Sequence, residues 1–201
     1  MKLRHYLNLS AGTSLRDESR VLQPARGSAI LFMPKKQKKQ KLGIDTVRGK
    51  RAEQQGRKAI KAFCAAHASL DCVFTDGNEP AVVDGFAFAN RDKRLAAIIE
   101  VKSRKITHRE LREKYDNLWM VSSHKIEHGK LLSEMLCAPF VGLLRLNPDR
   151  KVLVVKITDH KGRIVADITT AEMVTTASIS GGRMVSDCSF INMEHAKEYK
   201  L

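Results

Sequence analysis

Aromatic residues make up only 5% of this 201-residue chain. Proteins that recognise RNA or single strands stack bases on aromatic rings, so the sequence offers no obvious platform of that kind. Cysteines are few, and no Cys-x-x-Cys pair or dense cluster occurs, which argues against a zinc knuckle and a disulfide framework. The four cysteines are expected to be reduced thiols: Cys64, Cys72, Cys137 and Cys188.

Long apolar runs are also missing. No stretch approaches the roughly 20 apolar residues of a membrane span, and the start of the chain carries charges where a secretory signal needs an apolar core. The sequence therefore predicts no membrane partner and an intracellular location. That location is the cytoplasm for a bacterial protein, or for a phage protein in its host, and the nucleus for a eukaryotic one.

Acidic residues are outnumbered, with 22 Asp and Glu against 36 Lys and Arg, which gives a formal net charge of +14. This excess is typical of proteins that bind a polyphosphate such as nucleic acid, although ribosomal and membrane-surface proteins share it. Charge alone favours nucleic acid without identifying the partner.

The first 45 residues show little helical or strand periodicity and contain the run PKKQKKQK, which cannot contribute to a core. We interpret residues 1–45 as a basic, flexible arm and residues 46–201 as the folded domain. The arm is expected to bind phosphates through Lys35, Lys36, Lys38 and Lys39. A solubilising tail and a nuclear import signal are the alternatives.

The folded part alternates helical and strand patterns. Apolar residues at three- and four-residue spacing predict a helix from Arg48, and turn compositions separate three strands after it. Two helices, two strands joined by a turn and one further strand follow. The predicted ranges after the first helix are strands 71–75, 81–89 and 95–102, helices 107–119 and 122–137, and strands 140–146, 152–158 and 163–168. This order predicts a single α/β domain with a central mixed sheet flanked by helices.

Charged residues occur in two of the apolar strands. In the strand 95–102, Glu100 and Lys102 share one face because successive side chains alternate. Asp84 lies in the preceding strand, where an uncompensated carboxylate would be costly, and a hairpin would bring it towards Glu100. Converging carboxylates suit Mg²⁺ or Mn²⁺, and Lys102 could stabilise charge on a reacting phosphorus. The structural alternatives are a strand-end carboxylate and a solvated cross-strand pair.

With these residues on consecutive strands, the segment from Glu79 to Asp84 and the string Glu100-Val101-Lys102 resemble the PD-(D/E)XK phosphodiesterase superfamily. The resemblance implies a restriction-endonuclease-like fold and a metal site formed by Asp84, Glu100 and the backbone carbonyl of Val101. It implies Mg²⁺ as cofactor, with Mn²⁺ able to substitute. In this family an acidic residue of the first helix often joins the site, and Glu53 occupies that place.

A nuclease of this kind would hydrolyse phosphodiester bonds in DNA, and we expect an endonuclease more than an exonuclease. Small basic members of the family include Holliday-junction resolvases, restriction endonucleases and phage recombination nucleases. A branched DNA substrate and a role in DNA recombination are therefore expectations. Symmetric cutting of two strands would require a homodimer. Lys125, on the helix after the motif, is a candidate contact to the scissile phosphate or a solvated helix residue.

Two other functions compete with the nuclease. The string from His124 to His128 matches His-x-x-Glu-His, in which two histidines bind zinc and Glu127 acts as base in a metallopeptidase. Glu172 or Glu194 would then supply a third ligand. The other rival is a non-catalytic basic nucleic-acid-binding protein, which explains the net charge but not the charged residues in apolar strands.

Overall fold

A computed structural model of the chain describes residues 47–76, 81–176 and 183–201. Three helices and nine strands lie within these ranges. In chain order they are α1 (Val47–Ala65), β1 (Leu70–Phe74), β2 (Gly85–Ala89), β3 (Leu95–Arg104), α2 (His108–Tyr115), β4 (Leu118–Ser122), α3 (Ser123–Leu136), β5 (Phe140–Leu146), β6 (Lys151–Lys156), β7 (Ile168–Thr176), β8 (Arg183–Asn192) and β9 (Lys197–Lys200).

The strands form two sheets. The larger has six strands in the order β1-β2-β3-β5-β6-β9, in which only β3 and β5 are parallel neighbours. The smaller is antiparallel, with the order β4-β8-β7. The expected class, α/β with a mixed sheet and flanking helices, is confirmed. A restriction-endonuclease-like identity of this fold stays a prediction.

The predicted helix 107–119 is wrong in its second half. Its start is fixed by a capping box between Thr107 and Glu110, but the helix ends at Tyr115. Asp116 and Asn117 have positive φ angles of 50° and 57°, a conformation that ends a helix and redirects the chain. The segment that follows is β4, which belongs to the second sheet and was not predicted.

The last third of the chain also differs from the expectation. In place of a strand at 163–168, residues 157–167 contain one isolated bridge, between Thr158 and Ile164, and β7 begins at Ile168. The second sheet was not predicted because most residues of β7 are polar or exposed, so this strand shows no continuous apolar pattern. β8 and β9 were missed as well.

Two apolar cores lie on opposite faces of the large sheet. One joins α1 to the face that carries Ile99 and Val101, and the other joins α2, α3 and the small sheet to the face that carries Ile98. Gly142 lies on this second face, where a Cβ atom would overlap the ring of Trp119. Because side chains alternate along β3, Glu100 shares the face of Ile98.

The four cysteines are free thiols, as expected. Within the described ranges, no helix is both long and apolar enough to cross a membrane.

Candidate functional site

Asp84 lies immediately before β2, and its carboxylate is hydrogen-bonded to the neighbouring strand β3. Its Oδ2 accepts a hydrogen bond from the backbone N–H of Val101 at 2.7 Å. The backbone of Asp84 is held as well, since its N–H donates to Ile99 and its carbonyl accepts from Thr75. The Asp84 side chain is therefore held beside β3, at the residue that follows Glu100.

Glu100 is an ionisable residue in the middle of a core strand and is only 6% exposed. Burial, and secondly the negative charge of Asp84, raise the pKa of its carboxyl from 4.5 to about 7, although Lys125 and Lys102 act in the opposite direction. An isolated carboxylate would not be retained at such a position without a compensating group. Glu100 is thus an acid of the kind found at functional sites.

Lys102 lies two residues further along β3, on the same face as Glu100. Its side chain has solvent access, yet the atoms around the ammonium desolvate it enough to lower its pKa, and Arg104 lowers it further. Glu100 and Asp84 both attract the ammonium and oppose that change. The sequence-predicted trio Asp84, Glu100 and Lys102 is therefore brought together.

Lys125 lies in the first turn of α3 and completes this group. Its Nζ donates to the carbonyls of Ala81 and Val82 at 2.9 Å each and contacts Glu100 Oε2 at 3.2 Å. Three acceptors match the three N–H bonds of an ammonium group. The side chain is held at the site instead of being a solvated helix residue, and its expected contact with the scissile phosphate stays a prediction.

Glu53 is not brought to the carboxylates. It forms an ion pair with Arg57 at 2.8 Å within α1, and Arg57 also donates to the carbonyl of Thr75. The helix covers the opposite face of β3, where a Cβ on Gly56 would crowd Val101. Glu53 is thus linked to the Asp84 segment through Arg57 and Thr75.

Other expected residues cannot be placed. The basic arm, with Lys35, Lys36, Lys38 and Lys39, lies outside the described residues. The same is true of Glu79 and Pro80, the first residues of the motif segment.

The alternative zinc site is incomplete in the described part of the chain. The rings of His124 and His128 lie close together on α3, with centroids 3.9 Å apart and planes tilted by 57°. However, no group of three or more His, Cys, Asp and Glu side chains that could hold a metal occurs among the described residues, so neither Glu172 nor Glu194 supplies a third ligand there.

The same finding limits how a metal could bind at Asp84 and Glu100. Only these two carboxylates would come from the described residues, and the Val101 carbonyl would be a third oxygen donor. Magnesium prefers hard oxygen ligands and usually keeps several waters, so it needs only a few ligands from the protein. A divalent cation would also offset the repulsion that raises the pKa of Glu100. The residues present therefore fit Mg²⁺ or Mn²⁺.

Comparisons of the chain with protein-family models, with curated proteins and with solved structures give no match. The likeness to PD-(D/E)XK enzymes is therefore carried by the motif residues around Asp84, Glu100 and Lys102 and by the order of the elements that flank them.

The raised pKa of Glu100 predicts a pH-dependent stability. Between 4.5 and about 7 the folded state binds more protons than the unfolded state, so stability falls as pH rises through this window. Glu100→Gln removes the titration, and in chelator the variant should gain thermal stability relative to wild type from about pH 4 to about pH 8. Thermal melts across this range test it, and a constant difference in Tm would contradict the burial effect.

Proposed function

We propose that the chain is a metal-dependent nuclease that hydrolyses phosphodiester bonds in DNA. The observation that carries the proposal is the convergence of Asp84, buried Glu100 and Lys102 on one face of the central sheet, with Lys125 against Glu100. A buried acid, a second acid and two ammonium groups are costly to gather for stability alone. Such a group is suited to binding a cation and a phosphodiester together.

Each residue has a separate part in this mechanism. A magnesium ion held by Asp84, Glu100 and the Val101 carbonyl would neutralise phosphoryl charge and lower the pKa of a bound water. Lys102, close to both carboxylates and open to solvent, would orient the attacking water or stabilise negative charge on the phosphorus oxygens. Because its pKa is lowered, Lys102 loses its proton more readily than an ordinary lysine, which suits a group that takes part in proton transfer.

Lys125 would act on the site through Glu100. By donating to two carbonyls and to Glu100 Oε2, it fixes the carboxylate and favours its charged form. An ionised Glu100 is the form that binds a cation. Lys125 is therefore proposed as a positioning residue, and direct contact with the scissile phosphate is not needed for this part.

The surface beside the site supports DNA as the ligand, though less strongly than the sequence implied. Two of the basic residues of α2, Arg109 and Lys114, form ion pairs with Glu113 and Glu110 within the helix. Lys105 and Arg112 are exposed. The remaining charge is spread out and does not form a base-reading element, which favours recognition of DNA shape, as in a branched junction.

A panel of labelled substrates tests the proposal: four-way junction, linear duplex, flap and single strand, each with Mg²⁺. Binding is measured with Glu100→Gln and cutting with wild type. We expect metal-dependent cleavage, with paired symmetric nicks on the junction if a homodimer acts as a resolvase. Progressive shortening from free ends would reject the endonuclease, and no cleavage of any substrate would contradict the nuclease.

A further inference from the structure

A concave site lies on the face of the large sheet that α1 covers. It has a cavity volume of about 600 Å³ and is bordered by α1, β5, the turn before β6 and the end of β9. Its lining residues are Lys58, Ala62, Ala65, Ala66, Arg145, Arg150, Lys200 and Leu201. All the ionisable side chains in this set are cations. The small side chains of Ala62, Ala65 and Ala66 leave the space between the cations open.

Arg145 is the unusual member of this set. It lies in the apolar strand β5 and is only 9% exposed, yet no carboxylate of the described residues pairs with it. Its Nε donates to Asn147 Oδ1 at 2.9 Å, and Nη1 donates to the Gln55 carbonyl at 3.2 Å. Both acceptors are neutral. A buried guanidinium whose charge is not compensated is expensive, so an anion is the expected missing partner.

Acidic residues near the pocket in sequence are bound elsewhere. Asp149 accepts a hydrogen bond from the backbone N–H of His108 at the start of α2. Glu198 forms an ion pair with Lys151 at 2.8 Å and also contacts His108. Neither of them lines the cavity. Burial, and then the charge of Arg150, lower the pKa of Arg145, as expected for two cations that are close together.

We infer that this pocket is a phosphate-binding site, in which Lys58, Arg145, Arg150 and Lys200 hold an anionic phosphate group. The guanidinium of Arg145 would supply a fixed planar donor at the base, and the three exposed cations would close around the anion. A volume of about 600 Å³ accommodates more than one phosphate group, so a diphosphate or a stretch of backbone fits.

The pocket is separate from the proposed catalytic residues. Arg145 faces α1, whereas Glu100 and Lys102 face α3, on the other side of the sheet. The inference does not depend on nuclease activity. The phosphate has two possible sources, a free anion such as pyrophosphate or the backbone of a nucleic acid held away from the cutting site. Both sources share the same chemistry and are distinguished by experiment.

The test measures binding in chelator, so that no cleavage is involved. The variant Lys58→Gln/Lys200→Gln removes two exposed cations of the pocket and leaves the buried Arg145 in place, so folding should be retained. Its matched control, Lys130→Gln/Lys161→Gln, makes the same change in net charge at exposed positions outside the pocket. Calorimetric titration with pyrophosphate forms one arm, and binding of a short DNA duplex at several salt concentrations forms the other.

If the source is a free anion, the pocket variant should lose about tenfold in pyrophosphate affinity for each cation removed, while the control keeps wild-type affinity. If the source is DNA, the slope of log K against log salt should flatten by about 1.8 in the pocket variant only, since each contact contributes about 0.9. Either result supports the site. Equal behaviour of the pocket variant and its control in both arms would overturn it.

Discussion

Glu100→Gln should lower the rate of magnesium-dependent DNA cleavage by at least about a thousandfold, because the site loses an anionic ligand that the metal needs. Asp84→Asn should have a comparable effect. The fold should be retained in both variants, since Gln replaces a carboxylate that burial destabilises, and the side-chain oxygen of Asn can still accept from the Val101 N–H. Single-turnover cleavage under excess enzyme measures the chemical step directly.

The matched control for this experiment is Glu134→Gln, which removes one exposed carboxylate from α3. It should cleave at the wild-type rate. Wild-type rates in Glu100→Gln and Asp84→Asn would remove both carboxylates from the mechanism and would mean that the DNA is cleaved at a different site.

Lys102→Met should depress the single-turnover rate by about a hundredfold, with little change in the dissociation constant for DNA. Methionine keeps an apolar stem of similar length but deletes the ammonium that lies beside Glu100 and Asp84. The expected separation of rate from binding follows because the charge is needed most where negative charge develops in the transition state.

The control for Lys102 is Lys130→Met, on an exposed position of α3. It should change neither quantity. If Lys102→Met instead weakened binding with an unchanged single-turnover rate, Lys102 would be an ordinary phosphate contact, and the metal assignment would still stand.

Local signals in the sequence were sufficient for much of the large sheet. β5 was predicted with its observed bounds, because a continuous apolar run is enclosed between Pro139 and the turn that starts at Asn147. The alternation along β3 correctly placed Glu100 and Lys102 on one face, since that periodicity is a property of the strand itself. The hairpin geometry then brought Asp84 to their side.

Features that depend on distant parts of the chain were not predicted. The small sheet pairs β4 with β8, about seventy residues later. β4 is a short apolar run whose first two residues were assigned to the preceding helix, and β8 mixes polar and apolar residues. The contact of Lys125 with Glu100 depends on where α3 begins relative to β3, and spacing along the chain does not specify this. The phosphate pocket combines cations from four separate segments in the same way.

Glu53 is the predicted site residue that lies on a different element from the others. Its position on the first helix matched the family pattern. However, the rotation of such a helix about its own axis decides which side chains face the site, and the sequence does not specify that rotation. In this chain the Glu53 carboxylate forms an ion pair with Arg57, one turn later in the same helix. A motif residue on a different element is therefore weaker evidence than two residues on one strand.

Metal dependence tests the central claim most directly. Wild-type protein treated with chelator is mixed with labelled DNA, and cleavage is followed before and after Mg²⁺ is added in excess, with Glu100→Gln measured in parallel. The account predicts no cleavage in chelator, full recovery of the wild type with Mg²⁺ or Mn²⁺, and no recovery of the variant. Undiminished cleavage in excess chelator would contradict a metal site at Asp84 and Glu100.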